Sequence, residues 1–275
     1  MNHITIGFIG AGNMARALAG GLLANGWPAE NIIMADPDAN QRQSITSNLG
    51  IATKASNNEV AQQADCLVLA VKPQVLHAVT TGLAESVQAR QPLVVSIAAG
   101  IRLDDLEQWL GGKLSVVRAM PNTPALIGSG ASGLFANTRV DAAGRDTAES
   151  LLRATGVTVW VKNEDLLDVV TALSGSGPAY FFFMMEALEQ AAVDQGLDRD
   201  TAHLLTLETA LGAAKMALES REELQQLRHR VTSPGGTTEA AVSVLESEGV
   251  RQAFAKAITA ACHRSQELAK LFGEK

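Results

Sequence analysis

The stretch Ile4-Thr5-Ile6-Gly7-Phe8-Ile9-Gly10-Ala11-Gly12-Asn13-Met14-Ala15 reads as a strand, a glycine turn and the first turn of a helix. Ile4–Gly10 is a short apolar run that stops at a glycine. From Asn13 to Asn25 the apolar residues Met14, Leu18, Leu22 and Leu23 fall near helical spacing. Between the two, Gly10 to Ala15 spell GxGxxA, a form of the dinucleotide fingerprint. Gly10 permits the tight turn, Gly12 lets a pyrophosphate approach the backbone, and the small Ala15 lets helix and strand pack closely. The phosphates would face the N–H groups and the positive end of the helix. The motif alone is weak; the strand before it and the helix after it give it meaning.

The same alternation continues outward. Asn31–Ala35 reads as a strand, Ala39–Leu49 as a helix, and Cys66–Val71 as a continuous apolar strand covered on both faces. Pro73–Gln88 is helical, with the proline suited to its first turn. Leu93–Ala98, Leu114–Met120, Ala131–Phe135 and Val157–Val161 are further strands. This order predicts an α/β, Rossmann-type domain over residues 1–162, with a doubly wound, mostly parallel sheet. Beyond it no strand pattern recurs. Helical patterns run at about 164–173, 178–195, 199–219, 222–230, 236–247 and 249–271, so residues 163–275 are expected to form an all-α domain.

The chain has 275 residues, with 22 Lys and Arg against 29 Asp and Glu, a net charge of −7. Two domains fit that length at about 150 residues each. An apolar share of 47% supplies packed cores and argues against disorder. The acidic balance argues against a nucleic-acid partner, whose phosphates need Lys and Arg. Cys66 and Cys262 are too few for a disulfide framework and read as buried apolar residues. His3, His77, His203, His229 and His263 are scattered, without metal-ligand or hydrolase spacing. The opening MNHITIGFIG lacks the basic start of a signal peptide. No uninterrupted apolar stretch reaches the roughly 20 residues of a bilayer span. A cytoplasmic protein with no membrane contact is expected.

Several candidate positions lie at strand ends, where open α/β sheets bind ligands. Asp36 follows the second strand. Its carboxylate either accepts hydrogen bonds from ribose hydroxyls, favouring NADH, or serves as a turn residue in Asp36-Pro37-Asp38. Arg42 nearby could answer a 2′-phosphate, so NADPH stays open. In Ala70-Val71-Lys72-Pro73-Gln74, Lys72 either neutralises a dinucleotide or is a solvated loop lysine. Ser96-Ile97-Ala98-Ala99-Gly100 offers small residues to a flat ring, and Met120-Pro121-Asn122-Thr123-Pro124 is a rigid polar loop. In the second domain, Ser233-Pro234-Gly235-Gly236-Thr237-Thr238 precedes a helix and forms either a nest for a small carboxylate or a bare helix start. AYFFFMMEAL at 179–188 is apolar on nearly every side and needs burial all round, which predicts a homodimer or larger assembly.

Together, GFIGAGNM at 7–14, AVKPQ at 70–74, RAMPNTP at 118–124, LSGSGPAY at 173–180, GAAKM at 212–216 and SPGGTT at 233–238 resemble pyrroline-5-carboxylate reductases over essentially the whole chain. The resemblance implies reduction of 1-pyrroline-5-carboxylate to L-proline, the last step of proline synthesis, with NADPH or NADH as hydride donor. It implies that Gly10, Ala11, Gly12, Asn13 and Met14 hold the pyrophosphate, and that Asp36 and Asn57 lie near the adenosine. Ala70, Val71, Lys72 and Pro73 follow the cofactor, with Ile97 and Ala99 near the nicotinamide. Ser233 and the N–H groups around Gly236 and Thr237 would hold the substrate carboxylate, the Thr238 hydroxyl would face the ring nitrogen, and Glu164 would stand near the substrate. It also implies a substrate-binding, oligomerising helical domain and a homodimer assembled into a decamer. The nearest alternative is a 3-hydroxyacid dehydrogenase-like enzyme. That class places a lysine on a second-domain helix with an asparagine one turn later. After Lys215 the next turn, Met216-Ala217-Leu218-Glu219, has no asparagine. A non-enzymatic dinucleotide-binding regulator would not need SPGGTT.

Overall fold

A computed structural model describes residues 4–273; His3 lies outside them. The first part of the chain runs β1 Ile6–Ile9, α1 Asn13–Ala24, β2 Ile32–Ala35, α2 Ala39–Leu49, β3 Ala52–Lys54, α3 Asn57–Ala61, β4 Cys66–Leu69 and α4 Pro73–Arg90. It continues with β5 Leu93–Ser96, α5 Leu103–Trp109, β6 Val116–Met120, β7 Gly130–Ala136, α6 Ala142–Arg153 and β8 Gly156–Trp160. The strands form one sheet in the order β3-β2-β1-β4-β5-β6-β7-β8. Every neighbouring pair is parallel except β6 and β7.

Helices cover both faces, which is why β1, β2 and β4 are buried at every position. Along β1, Ile6 and Phe8 join one core with Leu18 and Leu22, while Ile9 joins the other with Val60 and Leu67. Fully burying a side chain of this size is worth about 1.5–3 kcal/mol. Gly7 is needed for close packing: a Cβ there would stand 2.7 Å from Val60 Cγ1 and 2.8 Å from Ala64 Cβ.

Four elements escape the sequence reading. β3 is three residues long and half polar, too short to show alternation. α3 has only five residues. α5 buries Leu103, Leu106 and Trp109, and α6 opens with Asp141 accepting from the Gly144 N–H at 2.8 Å. The acidic first turn of α5 and the N-cap of α6 are signals that were present in the sequence.

The remaining elements are α7 Leu166–Val170, a π-turn at Thr171–Gly175, α8 Gly177–Asp194, α9 Arg199–Glu219, α10 Leu224–Arg230, α11 Thr237–Ser247 and α12 Val250–Gly273. Contacts divide the chain at Ser176 rather than at 162, and the segment from Ala260 onward returns to the first unit. The boundary moves because α7 packs on the sheet: a Cβ on Gly133 would meet Val170 Cγ1 at 2.7 Å. The later half of α12 is fixed to the same unit, with the buried Ser265 hydroxyl donating to the buried Asp168 carboxylate at 2.6 Å.

Two expectations need correction. The helical run Leu166–Asp194 contains an 18-residue window with a mean hydropathy of 1.2 and passes for a membrane span by length and composition only. Gly175 ends the π-turn, and Gly177 and Pro178 open α8. Cys66 is buried, but Cys262 on α12 is only half-buried. Within one chain Phe181, Phe182, Phe183 and Leu188 of α8 remain exposed.

Candidate functional site

The carboxyl ends of the parallel strands bring the first group of residues together. Gly10 N–H donates to Ala35 O at 2.8 Å, Ala70 N–H to Ile9 O at 2.9 Å, Ile97 N–H to Leu69 O at 3.2 Å, and Asp36 N–H to Lys54 O at 3.2 Å. These bonds extend the ladders by one step and set the loops after β1, β2, β4 and β5 side by side. The chain reverses its direction of winding between β1 and β4, which is where such sheets take ligands.

Gly10 has φ +96°, and a Cβ there would stand 2.9 Å from Ala70 O. Gly12 is the opposite case. It is exposed, and a Cβ would meet nothing within 4 Å. The space kept clear beside the first turn of α1 suits a pyrophosphate. Gly12 caps that helix without a side-chain acceptor, leaving the first N–H groups to a ligand. The residues present therefore fit a dinucleotide. Asn13 is exposed, Met14 half-buried and Ala11 buried.

Asp36 takes the turn role and adds a bond to the fingerprint loop. Its Oδ2 accepts from the Ala11 N–H at 3.0 Å, and its Oδ1 from the Asp38 N–H at 2.9 Å. The carboxylate ties the fingerprint loop to the end of β2 and closes the Asp-Pro-Asp turn. Arg42 Nη1 donates to Asp36 O at 2.8 Å and Pro37 O at 2.9 Å, so a guanidinium also stands at this edge. Asn57, at the start of α3, is half-buried. Lys72 is exposed, caps α4 ahead of Pro73, and has no ion-pair partner among the described residues. Val71, Ile97 and Ala99 are half-buried, as a floor for a flat ring requires.

Glu164 is more engaged than its sequence suggests. Its Oε1 accepts from the Leu103 N–H at 2.7 Å and pairs with the buried Arg118 guanidinium, while Arg102 Nε lies 3.6 Å from Oε2. Asn122 is also buried; its amide donates to Ser174 O at 3.0 Å and accepts from the Ala131 N–H at 2.9 Å. Arg118 and Asn122 were quoted only as motif letters. An arginine inside the apolar strand VVRAM was the available signal.

The second group belongs to the helical unit. Ser233–Gly236 links α10 to α11 and is largely exposed. Gly235 has φ +68° and donates its N–H to the Glu239 carboxylate at 2.7 Å. Gly236 caps α11 with no side-chain acceptor. The Thr237 and Thr238 N–H groups have no partner among the described residues. The loop thus presents several donors, one already on a carboxylate, as an anion nest would. Arg230, just before it, pairs with Glu222 at 2.7 Å. Lys215 is exposed.

A sheet edge with room for a pyrophosphate beside a floor of small residues is the equipment of nicotinamide-dependent oxidoreductases. The relatives narrow the class. A family model described as pyrroline-5-carboxylate reductase dimerisation matches residues 164–268, and one described as NADP oxidoreductase coenzyme F420-dependent matches residues 5–100. The chain is 52% identical over 274 residues to a pyrroline-5-carboxylate reductase of Pseudomonas aeruginosa, covering 100% of each. A solved pyrroline-5-carboxylate reductase from Coxiella burnetii superposes with a TM-score of 0.94 at 47% identity, over 98% of this chain and 99% of that one. The Plasmodium falciparum pyrroline carboxylate reductase, solved with NADP bound, gives 0.86 at 31% identity, over 98% and 99%. The chain belongs to the pyrroline-5-carboxylate reductase family.

Proposed function

We propose that the chain reduces 1-pyrroline-5-carboxylate to L-proline with NADPH or NADH. The observation that carries this reading is the Ser233–Thr238 loop, whose geometry suits a small carboxylate, in a chain matched end to end by reductases of that name. The dinucleotide, when bound, supplies the hydride.

The protein's own part is positioning. Gly10 to Met14 receive the pyrophosphate at the N-terminus of α1. Asp36 and Asn57 flank the adenosine end; Ala70, Val71, Lys72 and Pro73 line the path; Ile97 and Ala99 floor the reacting end. Ser233 and the N–H groups around Gly236 and Thr237 fix the substrate carboxylate; the Gly236 N–H itself donates to Ser233 O at 3.0 Å, which leaves the Thr237 and Thr238 N–H groups as the donors. The Thr238 hydroxyl hydrogen-bonds the ring nitrogen, and Glu164 faces the substrate. A cyclic imine takes its proton readily from water, so no strong acid is required of the side chains.

The working assembly in this reading is a homodimer, built into a decamer as the family resemblance implies, in the cytoplasm. The exposed Phe181, Phe182, Phe183 and Leu188 support a second copy as their cover rather than lipid. The test is loss of reduced-nicotinamide absorbance with pyrroline-5-carboxylate, NADH and NADPH in parallel, with proline identified as product. Turnover with either is expected. Proven dinucleotide binding without turnover on either would overturn the reading.

A further inference from the structure

We propose that Arg118 is a positioning residue for the reduction, holding the Glu164 carboxylate so that one of its oxygens stays available to a ligand. The proposal rests on the reading above, in which Glu164 faces the substrate. Arg118 sits on β6 between buried Val117 and Ala119 and is itself only 6% exposed. A guanidinium there is costly unless paired. Its partner, Glu164, comes from the segment before α7. Glu164 Oε1 is doubly occupied, by Arg118 Nη1 and by the Leu103 N–H that opens α5. Oε2 has only Arg102 Nε at 3.6 Å, beyond hydrogen-bond length. One oxygen anchors the group to two elements, and the other has no hydrogen-bond donor among the described residues.

The charged groups around Glu164 are Arg118 from β6, Arg102 ahead of α5, Asp105 on α5, Asp165 beside α7 and Asp168 on α7. Without Arg118, Arg102 alone faces four carboxylates. Glu164 then loses its anchor to β6.

The experiment compares Arg118→Met, Arg118→Lys and the double variant Arg118→Met/Glu164→Gln. kcat and KM for pyrroline-5-carboxylate are measured separately, and dinucleotide affinity is measured by direct titration. Arg118→Met is expected to lower kcat/KM about 10–100-fold. Arg118→Lys should recover most of the rate, the double variant should lose no more than about threefold beyond Arg118→Met, and the dinucleotide Kd should stay within about threefold. An unchanged kcat/KM for Arg118→Met, no rescue by Arg118→Lys, or an equal loss of dinucleotide affinity overturns the role of Arg118 alone. A wild-type chain without turnover overturns the reaction and this role together.

Discussion

The nucleotide-binding unit and the helical unit are built on opposite terms. In the first, strands β1, β2 and β4 are buried at every residue, and two apolar cores flank the sheet. In the second, between Gly177 and Thr259, only Gly177 and Ala202 are buried, while phenylalanines and leucines of α8 and α9 stand in the open. The same apolar composition thus gives one unit that supplies its own interior and one that lacks it. Helices without a core of their own must be completed by something else. A second copy of the chain meets that need in the proposed homodimer.

The largest effect should come from charging the coreless face. Phe182→Glu should abolish the dimer and lower the apparent mass in light scattering to that of one chain, with activity lost. An unchanged dimer would show that α8 is covered in another way. Next come the two glycines of the nucleotide unit. Gly12→Val should cost dinucleotide affinity about 100-fold while the melting temperature barely moves, because its Cβ enters open space. Gly10→Ala should lower affinity and also stability, by about 1–3 kcal/mol, because φ +96° and the Ala70 carbonyl both oppose a side chain. Equal melting losses for the two variants would refute this division.

Thr238→Ala should reduce kcat/KM about 10–100-fold with the fold intact, the effect of one oriented hydrogen bond. Cys66 gives a smaller, pH-dependent effect. Burial, aided by Asp65, pushes its thiol up from 9.0 to about 12. The native state keeps the proton that the unfolded chain releases, so stability should fall as pH rises above 9.0 and go on falling toward about 12. The slope is up to about 1.4 kcal/mol per pH unit. In Cys66→Ala this part of the alkaline loss should disappear from denaturant titrations. The smallest effect belongs to the helical unit. Arg251, then Arg228, holds the exposed Glu246 carboxyl down to about 2. Its contribution is present above the ordinary 4.5 and is lost as pH falls toward about 2. Solvent screening keeps it small, so Glu246→Gln should shift acid unfolding only slightly.

The β1–α1 turn was fully legible because a glycine turn between apolar periods leaves few other structures open. Most of the alternation of strands and helices was legible for the same reason, down to the helices of the second unit, but α3, α5 and α6 were not read. β3 was not, since three residues carry no period. The partners of Glu164 were not, because Leu103 and Arg118 meet it only after the sheet is built. For Asp36, the sequence offered a ribose acceptor or a turn residue. It could not show that the loop after β1 comes close enough for Ala11 to take one carboxylate oxygen. The unit boundary moved for a like reason: secondary structure changes at 162, while packing holds α7 to the sheet.

Helix α12 starts in the helical unit and ends in the nucleotide unit. There Leu268 and Phe272 close over Gly100, Ala269 is buried, and Ser265 reaches Asp168. During synthesis the nucleotide unit therefore emerges first but lacks its closing piece. The ribosome must make the whole helical excursion before the segment after Ala260 is available. The first unit's contacts with Ser265, Leu268 and Phe272 therefore cannot form until the helical unit has been made. The last stretch made is thus the one that completes the first unit's set of contacts.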